Sequence, residues 1–337
     1  MTNLTAPKPN TLLDIPKTGM PVTIITGFLG SGKTTLLNYI LQNCQNLKVA
    51  VLVNEFGDIN IDSQLLVSVD ENMMELTNGC ICCTINDGLL DAVYSVLERN
   101  DRIDYLVVET TGIADPLPIA LTFLGTELRD LTRLDAILTL VDVETFTEDH
   151  FESDAALNQI SYGDIILLNK TDLVSETKVN ELENVIRDIK AGARILRSQY
   201  GKVPLPLILD VGFSQPELFA FAKESSHHHH HDEHHHHHHS DHLANDGFMS
   251  VSFQSDRPFS VVKFQKFLEL DLNENIFRAK GIIWFKESNL RHIFQLSGKR
   301  IELQTDQWQQ KHSNQLVFIG RNLNAAQLQE QLTNCLT

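Results

Sequence analysis

The stretch "VTIITGFLGSGKTTLLNYI", residues 22–40, decides the fold. Its first five residues are all β-branched, which is typical of a buried strand. The next eight fit the pattern G-x-x-x-x-G-K-[ST], with Gly27, Gly32, Lys33 and Thr34 at the fixed positions. The apolar residues that follow have helical spacing. A strand, a glycine-rich loop and a helix in this order predict an α/β domain of the P-loop NTPase class.

The loop has the chemistry needed to hold phosphates. Glycines allow backbone N–H groups to turn inward, and the start of the helix adds positive partial charge. Lys33 can reach the β- and γ-phosphates of a nucleotide, and the Thr34 hydroxyl can ligate Mg²⁺. An ordinary glycine-rich turn would not explain the lysine, the threonine and the flanking elements together. The residues expected to bind the phosphates are Gly27, Gly30, Ser31, Gly32, Lys33, Thr34 and Thr35.

A second motif indicates which base is bound. The stretches 135–143 and 164–172 predict two further strands, and the second ends in Asn169-Lys170-Thr171-Asp172. Ligands bind at the carboxyl edge of open α/β sheets. A carboxylate there accepts two hydrogen bonds from the N1–H and 2-amino groups of guanine, and adenine has no such pair of donors. A solvated turn is the alternative. We predict that Asn169, Lys170 and Asp172 select guanine, and therefore GTP.

The segment "DYLVVETTGIADP", residues 104–116, lies between these motifs and predicts a strand that ends at Glu109. Glu109 can hold Mg²⁺ directly or through water, although a surface carboxylate would also fit this position. The backbone N–H of Gly112 can approach a γ-phosphate, which makes the segment a candidate switch. No glutamine adjoins Gly112, so we expect slow intrinsic hydrolysis unless a partner, metal or substrate completes the site. The predicted catalytic residues are Lys33, Thr34 and Glu109.

Three of the five cysteines lie within four residues, at Cys80, Cys82 and Cys83. In a reducing compartment such a cluster indicates metal binding or redox activity, and thiolate-rich sites suit Zn²⁺ or Cu⁺. In a strand Cys82 and Cys83 would point to opposite faces, so joint ligation requires loop geometry. Glu55, in the loop beyond a strand predicted within residues 48–62, is a candidate oxygen ligand. Three small buried residues in a tight turn are the alternative.

Residues 225–242, "SSHHHHHDEHHHHHHSDH", form a second candidate metal site. Closely spaced imidazoles bind Zn²⁺, Ni²⁺, Cu²⁺ or Co²⁺ reversibly, so the tract predicts metal loading or buffering. A passive polar linker is the alternative, but it leaves the composition unexplained. The histidines concerned are His227, His228, His229, His230, His231, His234, His235, His236, His237, His238 and His239.

The composition excludes some classes of partner. The formal net charge of −17 repels phosphate backbones, so we expect no nucleic-acid partner. The first 20 residues lack the basic start and apolar run of a signal peptide. No apolar run approaches the roughly 18 residues that a membrane helix needs. We therefore expect a cytoplasmic protein without a membrane partner.

Taken in order and wording, these motifs resemble those of the CobW-type GTPases. The segments that carry the resemblance are residues 27–34, "NEFGD", "NGCICC", "ETTGIADP" and "NKTD". Two later segments, "RAKGIIWF" at 278–285 and "LVFIGRNL" at 316–323, resemble the second domain of that family. The resemblance implies Mg²⁺–GTP binding, and metal bound at the C-x-C-C element with help from Glu55. It leaves the metal open, because family members are linked to zinc, to cobalt in cobalamin synthesis and to nitrile hydratase activation.

The expected organisation has four parts. Residues 1–20 form a flexible arm, 21–223 a P-loop GTPase domain with a mostly parallel sheet, and 224–246 a histidine-rich linker. Residues 247–337 form a smaller α+β domain, with four strands and two helices expected.

The function expected from these features is that of a GTP-dependent metallochaperone, which hydrolyses GTP to deliver Zn²⁺ to a client metalloprotein. A cobalt chaperone of cobalamin biosynthesis is one alternative. A metal-storage or sensing protein that uses GTP as a structural ligand is another. A small-molecule kinase is disfavoured by the guanine-selecting motif. The oligomeric state is open, with a homo-oligomer among the possibilities.

Overall fold

The computed structural model describes residues 19–44, 47–53, 73–75, 85–99, 103–125, 127–147, 153–210, 248–308 and 311–337. Glu55, the three clustered cysteines and the histidine tract lie outside these ranges, as do most of the arm and the linker. The predictions made for them stay predictions. Among the described residues, no helix is both long and apolar enough to cross a membrane. The chain divides into two compact units, one built on the elements before Asp210 and one on those after it.

Strands and helices alternate through the first unit. The strands are β1 (Met20–Gly27), β2 (Val49–Val53), β3 (Met73–Glu75), β4 (Tyr105–Glu109), β5 (Thr132–Asp142), β6 (Ile165–Asn169) and β7 (Arg194–Arg197). The helices are α1 (Lys33–Asn43), α2 (Ile85–Leu97), α3 (Pro116–Leu124), α4 (Asp154–Tyr162), α5 (Glu176–Ile189) and α6 (Leu205–Ile208). A short 3₁₀ turn, Thr171–Leu173, follows β6.

The seven strands form one sheet in the order β3-β2-β4-β1-β5-β6-β7. All six neighbouring pairs are parallel. Both faces are covered, which explains why the strands are near-continuous apolar runs rather than alternating ones. The chain leaves the central strand β1 toward β2 on one side and later returns to β5 on the other. The order of strands therefore reverses at β1, and in open α/β sheets ligands bind at the carboxyl ends of the strands at such a point.

The second unit contains a separate five-stranded sheet. Its strands are β8 (Phe248–Ser255), β9 (Ile276–Ile283), β10 (Arg291–Ser297), β11 (Arg300–Asp306) and β12 (Asn314–Arg321), in the order β11-β10-β9-β12-β8. Its helices are α7 (Val261–Lys266), continued by a π-helical turn at Phe267–Asp271, and α8 (Ala325–Asn334). β12 pairs antiparallel with both β8 and β9. The predicted combination of an α/β P-loop domain and a smaller α+β domain is confirmed.

Aromatic side chains organise the core of the second unit. The ring of Phe264 on α7 stacks on Phe259 at a centroid distance of 5.3 Å and meets Phe294 of β10 edge-on at 5.5 Å. All three rings are buried, so α7 is fixed against the sheet by large apolar contacts. The sheet has five strands rather than the four expected. The strand that was not predicted is β11, whose apolar residues are limited to Ile301 and Leu303, both on an exposed face.

Candidate functional site

The loop between β1 and α1 has a backbone that requires glycine. Gly27, Gly30 and Gly32 have φ of +142°, +75° and +97°, a region that side chains with a Cβ rarely adopt. A Cβ on Gly27 would lie 2.3 Å from the carbonyl oxygen of Leu140 on β5, and one on Gly32 would lie 2.4 Å from Nδ2 of Asn169. The loop is therefore pressed against the ends of β5 and β6. Gly27 and Gly32 are required both by backbone conformation and by the lack of space for a Cβ, whereas Gly30 is required by backbone conformation alone.

Lys33 begins α1 and turns its side chain back into the loop. Its Nζ donates hydrogen bonds to the carbonyl oxygens of Gly27 at 3.0 Å and Phe28 at 3.3 Å. Only 8% of the residue is exposed. The buried ammonium thus lies inside the loop, in the position from which it can neutralise phosphate oxygens.

Thr34 and Glu109 bring oxygen groups together beside the loop. The Thr34 hydroxyl donates to Oε1 of Glu109 at 3.2 Å. Glu109 is the last residue of β4, as predicted, and it is 2% exposed. Its register partner on β1 is Ile25, and its partner on β2 is Val53. The carboxylate is therefore held at the carboxyl edge of the sheet, directly beside the phosphate loop.

The side chains around the loop fit a triphosphate with Mg²⁺. Among the described residues, the buried hydroxyl oxygens of Ser31 and Thr111 have no hydrogen-bond partner. Buried hydroxyl groups almost always have one, so these two are suited to a polar ligand. Lys33 supplies the positive charge, and Thr34 and Glu109 supply the hard oxygen ligands that Mg²⁺ prefers.

The Asn169 side chain holds the glycine-rich loop through a hydrogen bond to its backbone. Its Nδ2 donates to the carbonyl oxygen of Ser31 at 2.9 Å. Its Oδ1 accepts from the Ser198 hydroxyl and from the Gly201 backbone N–H, each at 3.0 Å. The amide is buried, and protein groups take up both acceptor positions of Oδ1 and one of the two N–H donors of Nδ2. Asn169 therefore joins the loop to the segment that contains Ser198 and Gly201.

The two charged residues of the candidate base-recognition element, residues 169–172, differ in their surroundings. Lys170 has a left-handed backbone, with φ of +63°, and its Nζ lies 2.6 Å from Oδ2 of Asp142 at the end of β5. Burial would raise the pKa of Asp142, but the hydrogen bonds from Lys170 and from the Glu144 backbone outweigh it and lower that pKa. Asp142 therefore stays ionised and fixes Lys170. The Asp172 carboxylate lies exposed in the 3₁₀ turn, open to a base.

Two functional candidates were missed by sequence reasoning. Gln159 on α4 is 2% exposed, and its Nε2 donates to the carbonyl oxygens of Gly112 at 3.2 Å and Ala114 at 3.0 Å. The preceding residue, Asn158, donates to Oδ2 of Asp115 at 2.8 Å. One signal was available: Gln159 lies beside Ile160 and three residues after Ala156, so it sits on the apolar face of α4.

The structure brings most of the predicted nucleotide residues to one edge of the first sheet. Gly112 packs against the loop, since a Cβ there would lie 2.7 Å from the backbone nitrogen of Leu29. Thr35 is exposed on α1. Within the described ranges, no group of three or more His, Cys, Asp or Glu side chains could hold a metal ion. The predicted metal residues Glu55, Cys80, Cys82 and Cys83, with the histidine tract, lie outside those ranges.

Comparisons with known proteins agree with this arrangement. Residues 21–197 match the family model "CobW/HypB/UreG, nucleotide-binding domain", and residues 248–336 match "Cobalamin synthesis protein cobW C-terminal domain". The chain is 34% identical to "Zinc-regulated GTPase metalloprotein activator 1" of Dictyostelium discoideum, over 94% of this chain and 80% of that one. It is 33% identical to "Zinc chaperone YjiA" of Escherichia coli K12, over 90% and 94% of the two chains.

A solved structure, that of the Zn(II)-bound YjiA GTPase from E. coli, is 27% identical and covers 95% of this chain and 99% of that one. The TM-score between the two structures is 0.46. The family models and the two sequence relatives carry the assignment. With the phosphate loop, Glu109 and the base-recognition element in place, they show that this chain belongs to the CobW/HypB/UreG family of nucleotide-binding proteins.

Proposed function

We propose that this chain is a GTP-dependent zinc metallochaperone, which binds Zn²⁺ and hydrolyses GTP to deliver the metal to a client metalloprotein. The names of its relatives, a zinc-regulated GTPase metalloprotein activator and a zinc chaperone, support this function. The register of β3, β2 and β4 supports a coupling between metal binding and nucleotide binding.

Val53, the last residue of β2, pairs with Glu109 on one side and with Glu75, the last residue of β3, on the other. Glu55 follows Val53 by two residues, and Cys80 follows Glu75 by five. β2 and β3, the strands that precede the candidate zinc ligands in the chain, therefore end at the same edge of the sheet as Glu109. The ends of β2 and β3, after which the chain continues to Glu55 and to the cysteines, are thus close to the proposed nucleotide site.

The residues at the edge have separate tasks in hydrolysis. Attack of water on the γ-phosphorus forms one P–O bond and breaks the bond to the β–γ bridging oxygen, which leaves with GDP. Lys33 stabilises the negative charge that develops on the phosphates. Thr34 and Glu109 would hold Mg²⁺, which when bound neutralises further charge on the β- and γ-phosphates. Asp172 selects guanine and Asn169 keeps the loop in shape.

We also propose the finer details that the sequence predicts. The P-loop domain spans 21–223 and is joined by the histidine-rich linker 224–246 to the domain 247–337. The protein acts in the cytoplasm, where the thiols of the cysteine cluster stay reduced. The histidine tract collects metal, and because binding needs neutral imidazole its capacity falls below about pH 6.5.

Zinc affinity in two nucleotide states tests the function. The full chain, with the eleven tract histidines replaced by asparagine, is titrated against a chelator with Mg²⁺ and either GDP or a non-hydrolysable GTP analogue. We expect the two Zn²⁺ affinities to differ by about tenfold, or about 1.4 kcal/mol. The difference should vanish in the Cys82→Ser, Cys83→Ser chain. Co²⁺ titrated in parallel separates the cobalt alternative.

Equal Zn²⁺ affinities in the two states would count against the delivery cycle, because a ligand with no differential affinity shifts no equilibrium. The storage or sensing alternative would then be favoured. Steady turnover of GTP, stimulated by Zn²⁺, would count against that alternative in turn.

A further inference from the structure

The segment between β4 and α3 is held from one side by a single turn of α4. The two N–H donors of the Gln159 amide are both in use, one toward the carbonyl oxygen of Gly112 and one toward that of Ala114, at 3.2 and 3.0 Å. Since Gln159 is 2% exposed, these bonds are shielded from competing water. They are therefore a fixed attachment rather than a passing surface contact.

Asn158 extends this attachment to the start of α3. Its Nδ2 lies 2.8 Å from Oδ2 of Asp115, while Oδ1 of the same carboxylate accepts from the Leu117 backbone N–H at 2.8 Å. Asp115 is the N-cap of α3, so it satisfies one of the free N–H groups of that helix. Two consecutive residues of α4 thus hold three positions of the segment: 112, 114 and 115.

Gln159 and its neighbours on α4 are themselves held against the sheet. The Thr139 hydroxyl on β5 donates to the backbone carbonyl oxygen of Gln159 at 2.6 Å. Ala156 and Ile160, on the same face of α4, are buried in the core. Because β5 is the direct neighbour of β1, the position of the Gln159 amide is set by the same strands that position the phosphate loop.

The other side of the segment is fixed to β1. Thr110 donates its backbone N–H to the carbonyl oxygen of Ile25 and its hydroxyl to the hydroxyl of Thr26, both at 2.9 Å. The same hydroxyl contacts the carbonyl oxygen of Thr111 at 3.2 Å. In a trans peptide the C=O and the N–H point in opposite directions, so this contact sets the direction of the Gly112 N–H. Gln159 sets the following peptide, and both peptides that flank Gly112 are held.

We propose that Gln159, assisted by Asn158, is a positioning residue that presents the Gly112 N–H to the γ-phosphate and thereby sets the preference for GTP over GDP. The inference rests on the proposed function, because it assumes that GTP is the bound nucleotide. GDP has no γ-phosphate, so a shift in the position of Gly112 should have little effect on the affinity for GDP. Loss of the hydrogen bonds from Gln159 should therefore lower the affinity for GTP and leave the affinity for GDP nearly unchanged.

The substitution Gln159→Glu tests this with little change in size. A carboxylate has no N–H to donate and would face two carbonyl oxygens. Affinities of the full chain for GDP and for a non-hydrolysable GTP analogue are measured with Mg²⁺, together with kcat and KM for GTP. We expect the analogue to bind at least tenfold more weakly and kcat to fall, while the GDP affinity changes less than twofold. Gln42→Glu, the same change at an exposed position on α1, serves as the control and should alter neither affinity.

Two results would overturn the inference: equal weakening of both nucleotides, which marks a merely structural role, or no weakening of either. If the Gln159→Glu chain does not fold, Asn158→Ala removes only the contact to Asp115, and a loss of about threefold confined to the GTP analogue is expected. Unchanged analogue binding in that variant would then contradict the inference. Failure of the unsubstituted chain to bind or hydrolyse GTP would instead refute the proposed function, and the two failures are thus separable.

Discussion

The hydroxyl of Thr34 and the carboxylate of Glu109 are 3.2 Å apart, although 75 residues separate them in the chain. The contact joins the first turn of α1 to the end of β4. Both groups are hard oxygen donors, and they meet beside an ammonium that the loop encloses. The proposed Mg²⁺ ligands thus come from two elements that adjoin β1, which makes the contact a direct target for substitution.

Replacement of Glu109 by glutamine should impair hydrolysis more than binding. The amide keeps the size of the side chain but loses the charge that would attract Mg²⁺. We expect kcat for GTP to fall about 100-fold or more, the scale seen when one stabilising group of a transition state is removed. Turnover is measured against Mg²⁺ concentration. Glu181→Gln, an exposed position on α5, is the control, and an unchanged kcat in Glu109→Gln would contradict the assignment.

Replacement of Asn169 by aspartate should lower the affinities for GTP and for GDP equally. The change removes the donor to the Ser31 carbonyl oxygen and places a charge in a buried site, while the acceptor for Ser198 and Gly201 is retained. We expect a loss of about 1–3 kcal/mol in unfolding free energy, the usual cost of an unsatisfied buried group. Denaturant unfolding and nucleotide titration measure the two effects.

Asn43→Asp is the matched control for this prediction, because the Asn43 amide is exposed and donates to the Tyr39 carbonyl oxygen at the end of α1. Selective loss of GTP binding in Asn169→Asp would contradict the bracing role and assign Asn169 to the phosphates. The contrast with Gln159→Glu makes the pair informative, since one substitution should act on both nucleotides and the other on GTP alone.

Asp172→Asn should change the preferred base. The carboxylate accepts from two donors of guanine, whereas an amide presents one acceptor and one donor. Xanthine carries a carbonyl oxygen where guanine carries its 2-amino group, so the amide suits it better. We expect GTP affinity to fall about 100-fold and affinity for xanthosine triphosphate to rise, which competition binding measures. Retention of GTP preference would remove Asp172 from the base site.

The second unit should lose stability as the pH falls toward 5.5. His292 on β10 is buried, and burial lowers its pKa despite opposing hydrogen bonds with the backbone of Leu290 and Ile283. The unfolded chain therefore binds a proton on His292 at a higher pH than the folded chain does. The contribution of His292 to the free energy of unfolding is complete above about pH 6.5, its pKa in the unfolded chain. It declines as the pH falls from there toward the lower pKa of the folded chain.

Urea unfolding of the wild type and of His292→Asn, with chelator present, measures this effect between pH 7.5 and 5.5. We expect a larger loss of stability on acidification in the wild type than in the variant. His312→Asn is the control, because that side chain is only partly buried. Parallel pH profiles for wild type and His292→Asn would show that the burial of His292 has no part in the pH dependence.

The elements with a strong local pattern were predictable from the sequence. The β-branched run before Gly27 and the helical spacing after Lys33 gave β1 and α1, and the apolar run before Glu109 gave β4. By contrast, β11 has only Ile301 and Leu303 as apolar residues and forms because β10 offers it a partner. Edge strands of this kind depend on pairing rather than on burial, so their own residues carry little signal.

The polar contacts of the site were predictable only in part. The types of residue at Lys33, Thr34 and Glu109 follow from the chemistry of phosphate and Mg²⁺. The roles of Gln159 and Asn158 depend on where α4 packs against the segment after β4, which no spacing within α4 reveals. A buried glutamine on an apolar face signals that some partner exists, but the partner is 47 residues away in the chain.

The close approach of Gly32 to Asn169 has a consequence for engineering and for sequence variation. The position that a Cβ on Gly32 would occupy lies 2.4 Å from the Asn169 amide, so the glycine-rich loop and the end of β6 share one steric boundary. A variant that enlarges either side displaces the other. An altered base preference is therefore best sought at the exposed Asp172, where a new side chain leaves the contact between Gly32 and Asn169 unchanged.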